Sequence, residues 1–187
     1  LPGGETALMT ASRTGQLGPV AALLSHGAKV DAKERKGQTA IMWAAAEGHV
    51  EVVTALIDAG ADMRDSLPSG FNPWFFAVRE GRPDVVARLL EAGIEVNDVM
   101  QPRHARSRGP KTGTSALLLA VENGHFALAA NLLDAGADAN DARCGYTALH
   151  AMTWVRQPIR GDGDPSPLGS GALTSLELVR ALVAHGA

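Results

Sequence analysis

Apolar and polar positions recur along this chain with one long period. Gly4, Gly37, Gly70, Gly113 and Gly145 each open a stretch of the form Gly-x-[Thr/Asn/Ser]-[Ala/Pro]-[Leu/Ile/Trp]. In the first four a second glycine follows 23 residues later, at Gly27, Gly60, Gly93 and Gly136. In the second stretch Ala40 to Ala46 form an apolar run that Glu47 and Gly48 end. Val52, Val53, Leu56 and Ile57 then recur at helical spacing, with Glu51, Thr54 and Asp58 on the other face. The spacing predicts two short helices per stretch. Thr39 is placed to cap the first with its side chain and Gly48 to end it in a left-handed conformation; the second starts beside His49 and closes at Gly60. The chain from Gly60 to Gly70, rich in Asp, Ser and Pro, predicts an extended turn or short hairpin. Such a unit cannot bury its apolar face alone, so neighbouring units supply one another's core, and recognition across a surface is the expected role.

The strings TALMTA, TAIMWAAAEGHVEVVTALIDAGAD, NPWFFAVREGRPDVVARLLEAGIEVN, SALLLAVENGHFALAANLLDAGADAN and YTALHAM with LELVRALVAHGA resemble an ankyrin repeat array and cover nearly the whole chain. Alanine replaces the usual proline at Ala7, Ala40, Ala116 and Ala148, and Leu149-His150 is the single surviving Leu-His pair. These replacements, Met42-Trp43 and the AGAD endings are similar to prokaryotic ankyrin proteins. The resemblance implies an all-α repeat solenoid of five ankyrin repeats, each a β-turn plus an antiparallel helix pair. They would form a single domain over 1–187, with repeats at about 1–33, 34–66, 67–99, 110–142 and 143–187.

The resemblance also implies a concave groove lined by turn tips and first helices. Carried over unit by unit, it marks Arg35, Lys36 and Gln38 in the second repeat and Phe71, Arg79 and Glu80 in the third. It marks Thr114, Glu122 and Asn123 in the fourth, and Arg143, Tyr146 and Trp154 in the fifth. Phe71 and Tyr146, just after an opening glycine, are expected to be the more exposed aromatics, while Trp43, Trp74, Phe75 and Phe76 fall at first-helix positions expected to pack in the core. His49 and His125 at helix starts, and His26 and His185 before a closing glycine, read as turn and helix-end residues. The implied function is a non-enzymatic scaffold for a protein or peptide partner. Two alternatives stand beside it: a regulatory or docking domain of a larger multidomain enzyme or signalling protein, and anion or nucleic-acid binding through residues 103–111.

Two insertions break the period. The interval from Gly93 to Gly113 is ten residues longer than its counterparts, with the excess at about 100–111, where Arg103, His104, Arg106, Arg108 and Lys111 concentrate positive charge. This basic loop is expected either as an accessory contact, because arginine forks suit planar anions such as a phosphate or an acidic peptide, or as a solvated loop whose charges keep it soluble. The last repeat carries a Pro- and Gly-rich insertion at about 156–173, which forbids a continuous helix. Its Asp162-Gly163-Asp164 lacks the further oxygen ligands at fixed offsets that calcium requires.

Composition narrows the choices. The chain has 45% hydrophobic but 4% aromatic residues and a formal charge of -3, so no global field draws it to nucleic acid or to an anionic membrane, and helices alone are expected. Cys144, the single cysteine, excludes an internal disulfide and a Cys-rich zinc site. No apolar run approaches the roughly 20 residues of a membrane helix. Phosphate-loop, His-Glu-x-x-His and Gly-x-Ser-x-Gly motifs are absent. Cys144 with His150 is the one nucleophile and base pair to weigh, and it lacks oxyanion donors and a clear activator. No catalytic residue, cofactor or metal is expected. The compartment stays open between the cytoplasm and, after removal of a leader, the periplasm or exterior. Thr10 and Ser12 are expected to blunt an exposed first end. Leu176, Leu178, Val179, Leu182 and Val183 leave the last helix apolar, so further ankyrin repeats are expected C-terminal to it.

Overall fold

The computed structural model describes residues 3–103, 111–153, 155 and 173–187. Among them lie ten helices, α1 (Ala7–Arg13), α2 (Leu17–Ser25), α3 (Ala40–Glu47), α4 (Val50–Asp58), α5 (Pro73–Arg79), α6 (Pro83–Glu91), α7 (Ala116–Glu122), α8 (Phe126–Asp134), α9 (Ala148–Ala151) and α10 (Ser175–Ala184). None exceeds ten residues, a length marginal in isolation, so tertiary packing supplies their stability.

The chain divides into two compact units, Leu1–Ile94 and Glu95–Ala187. In the first, α1 and α2, α3 and α4, and α5 and α6 form three helix pairs; α3 packs between α1 and α5, and α4 between α2 and α6. In the second, α7 pairs with α8 and α9 with α10, α7 packs on α9, and α8 packs on α10. The first helix of a pair is covered by its own partner and by the neighbouring pair, so it is apolar nearly all round. In α7 every residue from Ala116 to Val121 is buried, and in α5 every residue from Pro73 to Val78. The second helices keep one buried stripe, Val52, Val53 and Leu56 in α4 and Val85, Val86 and Leu89 in α6. Ile57, expected in that stripe, is half-buried at its edge.

Side chains cap five of the ten helix starts. Thr6, Asn72, Ser115, Thr147 and Thr174 each accept a backbone N–H of the first turn. Thr39 has the same extended backbone, but its hydroxyl accepts none; it is 1% exposed and makes no hydrogen bond. Gly48 ends α3 at φ +86° as expected, and α4 begins directly after His49. Ser12, expected to blunt an exposed end, is wholly buried instead, while the neighbouring Thr10 satisfies its hydroxyl on the Thr6 carbonyl at 3.3 Å.

Extended pairing qualifies the helix-only expectation. Val99 and Ser115 form an antiparallel bridge, Met100 N donates to Thr114 O and Gly113 N to Met100 O, both at 2.9 Å. The two ends of the first insertion are thereby joined. Residues 104–110 and 156–172, including His104, Asp162, Gly163 and Asp164, lie outside the described residues. On α10, Leu178 and Leu182 are buried, whereas Leu176 and Val183 are 58% and 56% exposed.

Candidate protein-binding surface

Turn positions are held by side chains bonding to the next repeat. The fourth residue after each closing glycine is Asp31, Arg64, Asn97 or Asn140. Asp31 Oδ1 accepts from Asp62 N at 2.9 Å, and Arg64 Nη2 donates to Gly93 O at 2.9 Å. Asn97 accepts from Asp138 N at 2.9 Å and donates to Gly136 O at 3.1 Å, and Asn140 Nδ2 donates to Gly186 O at 2.7 Å. A second device ties first helices together in the Leu1–Ile94 unit. His49 Nε2 bonds to the Arg13 carbonyl at 3.0 Å and lies over Gly15, and Arg82 Nε donates to the Ala46 carbonyl at 2.9 Å and lies over Gly48. Each puts a donor on an orphan carbonyl at a helix C-terminus. At helix ends, His26 Nδ1 and His185 Nδ1 bond to the carbonyls four residues back, at 2.8 and 2.9 Å.

On this frame the Leu1–Ile94 unit presents Arg35 and Lys36 as exposed tip residues, with Gln38 half-buried. Glu34 Oε1 shapes that tip by accepting from Lys36 N at 2.8 Å and Gln38 N at 3.0 Å. Phe71 corrects the expectation of exposure. It is 6% exposed because its ring lies 5.0 Å from that of Phe76, and the Arg79 guanidinium covers it at 4.7 Å. Arg79 also lies 5.0 Å from the Phe76 ring and pairs with Glu80 at 2.7 Å. Trp74, Phe75 and Phe76 are core as expected. Trp43 is half-buried, with Arg13 5.4 Å over its ring, so it belongs to the surface as much as to the core.

In the Glu95–Ala187 unit, Tyr146 donates its hydroxyl to Glu122 Oε1, and Lys111 Nζ lies 4.8 Å over the ring. Burial first, then the bond to Glu122, raises the phenol above its ordinary pKa. Asn123 is exposed and caps α7 by donating to Leu119 O at 2.8 Å. Thr114 is a correction: it is 3% exposed and its hydroxyl is spent on Lys111 O at 2.9 Å, so it shapes the turn from inside. Arg143 also departs from the open contact expected. Its Nε and Nη2 grip Asp141 Oδ1 and Oδ2, both at 2.8 Å, and Nη2 reaches Asn97 O at 2.8 Å. Burial works to raise the Asp141 carboxyl, but the hydrogen bonds and charge of Arg143 outweigh it and hold the group below the usual carboxylate range. Arg103 is exposed; Arg106, Arg108 and Trp154 lie outside the described residues.

Cys144 Sγ is directed to Tyr146 O at 3.5 Å, and His150 Nδ1 to the hydroxyl of Thr147 at 2.8 Å, so each is engaged with its own turn or cap. Among the described residues no cluster of three His, Cys, Asp or Glu is arranged to hold a metal, and no helix is long and apolar enough to cross a membrane. Sequence reasoning missed Arg13 and Asp141 and the stitching residues. The signal for the last was present: a hydrogen-bonding side chain recurs four residues after each of the four closing glycines.

A family model described as ankyrin repeats in three copies matches residues 8–100, and one described as an ankyrin repeat matches residues 112–143. Together they span about two thirds of the 187 residues. A search of curated proteins gives no match. The helix pairs, their left-handed glycine ends and these matches agree, and the chain belongs to the ankyrin repeat family.

Proposed function

We propose that the chain is a non-enzymatic interaction scaffold that holds a protein or peptide partner on the turn tips and first helices of its repeats. Ankyrin repeats are generally protein–protein interaction modules, typically without catalytic activity. The observation that carries the reading is the placement of aromatic and charged side chains in pre-set pairs at these positions. Arg13 lies on Trp43, Arg79 on Phe71 and Phe76, and Lys111 on Tyr146, which in turn is bonded to Glu122. Side chains already held lose less conformational entropy on binding, and Arg and aromatic residues are the usual interface anchors.

Affinity capture from lysate tests the reading, comparing the parent chain with a tip variant (Arg35→Glu with Lys36→Glu) and a first-helix variant (Glu122→Ala with Asn123→Ala), each shown by circular dichroism to be folded. A protein held by the parent and lost by either variant is the expected result. Capture of the same proteins by all three chains would overturn it.

A further inference from the structure

Positions that stacking buries inside each unit are open at the first and last repeats. In the Leu1–Ile94 unit the third residue after the opening glycine is buried as Ala40 and Pro73, and the fourth before the closing glycine as Leu56 and Leu89. The residue just after the closing glycine is buried as Ala61 and Ile94. Their first-repeat counterparts are Ala7, which is exposed, and Leu23 and Ala28, which are half-buried. These three, with Lys29 and Ala32, line an open cleft of about 280 Å³. Within this unit the positions lose water only where a repeat has a predecessor, so they mark the face that a preceding repeat covers.

The Glu95–Ala187 unit carries the opposite half. On α8, which packs on α10, the tenth, seventh and third residues before the closing glycine are buried as Phe126, Ala129 and Leu133. On α10 the same positions are Leu176 and Val183, exposed, and Val179, half-buried. Leu118 and Val121 of α7 are likewise buried where the last repeat has the exposed His150 and Thr153. Those two polar residues already bond within their own repeat, His150 Nδ1 to the Thr147 hydroxyl and the Thr153 hydroxyl to His150 O, each at 2.8 Å, so covering them leaves those groups paired.

We infer that the first repeat of one copy of this chain seats on the last repeat of a second copy, continuing between chains the repeat-on-repeat interface of the fold. A second copy is the occupant because both halves of that interface belong to this one sequence. Their shapes also answer each other. Ala7, Ala28 and Ala32 leave a hollow, and Leu176, Val179 and Val183 are the longer apolar side chains that enter it. Lys29 is the one charged residue lining the cleft, and it is exposed, so its ammonium stays in water at the rim. The contact joins unlike faces and is therefore head-to-tail.

Sedimentation equilibrium of the whole chain tests this, with each variant shown by circular dichroism to be folded. The parent is expected to gain mass as concentration rises. Ala7→Arg blocks the first face and Val183→Arg the last, and each alone weakens self-association at least tenfold. Leu176→Arg, on the same face, repeats the effect of Val183→Arg. Mixed in equal amounts, Ala7→Arg and Val183→Arg chains pair one to one, because each keeps the face that the other lacks, whereas a chain carrying both changes pairs with neither. A parent that stays monomeric at every concentration would overturn the inference. So would association retained by either single variant, which assigns it to like faces or to another surface, and so would a mixture that remains monomeric. The contact uses neither the turn tips nor the arginine–aromatic pairs of the scaffold reading, so self-association and partner capture stand or fall separately.

Discussion

Gly113→Ala and Gly136→Ala form a matched pair whose difference follows from the neighbours alone. Both glycines lie in the Glu95–Ala187 unit with left-handed backbones, at φ +86° and +93°. Adding a Cβ therefore costs each about 1–2 kcal/mol of backbone strain. A Cβ on Gly136 meets nothing within 4 Å, so Gly136→Ala stops at that figure. On Gly113 it would stand 2.6 Å from both the carbonyl carbon and oxygen of Arg143. That backbone cannot yield cheaply, because Arg143 N and its guanidinium are tied to Asp141, and Nη2 is tied to Asn97 O. Overpacking of this kind adds about 1–3 kcal/mol, so Gly113→Ala costs about 2–5 kcal/mol in all. At an m-value of about 2 kcal/mol/M the two variants differ in urea midpoint by on the order of 1 M. Urea unfolding by circular dichroism measures the difference, and hydrogen exchange assigns it to residues 95–187. Equal midpoints would refute the steric argument.

Four further outcomes are expected. Asp141→Asn removes a carboxylate whose pKa is lowered in the folded state. In the parent its contribution is complete above about pH 5 and is lost as pH falls through and below the unfolded value of about 3.9; acid titrations of the two chains converge at low pH if this holds, and a constant gap would contradict it. Thr39→Val removes a buried hydroxyl that makes no hydrogen bond and leaves stability unchanged or improved by up to about 1 kcal/mol. Asn72→Ala, which removes a cap bonded to Phe75 N at 3.0 Å, loses about 1 kcal/mol in the same denaturation assay. Gly15→Ala places a Cβ 2.6 Å from the His49 ring, so a double-mutant cycle with His49→Ala shows the glycine change to be milder once the ring is gone; additive effects would deny the contact.

The fold was legible because its signal is a long period written in glycines, caps and apolar runs, each tied to a local backbone requirement. The surface was less so. Phe71 follows an opening glycine just as Tyr146 does, but Phe71 is roofed by Arg79 from its own repeat. Arg143 resembles an open tip residue until Asp141 and Asn97 are seen around it. Arg13 became prominent only when α3 brought Trp43 beneath it. Such outcomes depend on which side chains meet in space, within one repeat for Phe71 and Arg79 and across repeats for Arg13 and Trp43, and the spacing of residues along the chain does not encode that. Thr39 failed for a smaller reason: the right residue at a helix start still has to turn its hydroxyl toward the N–H groups.

The bridge between Val99 and Ser115, reinforced by the bonds of Met100 to Gly113 and Thr114, has an evolutionary consequence. It fastens the stem of the first insertion at its base, so the register of α7 no longer depends on how much chain lies beyond. Each doubling of a closed segment's length costs only about 0.6 kcal/mol in closure entropy. Lineages can therefore lengthen, trim or rewrite that segment while the helices keep their positions, which makes it a place for new specificity to arise and for a foreign peptide to be grafted.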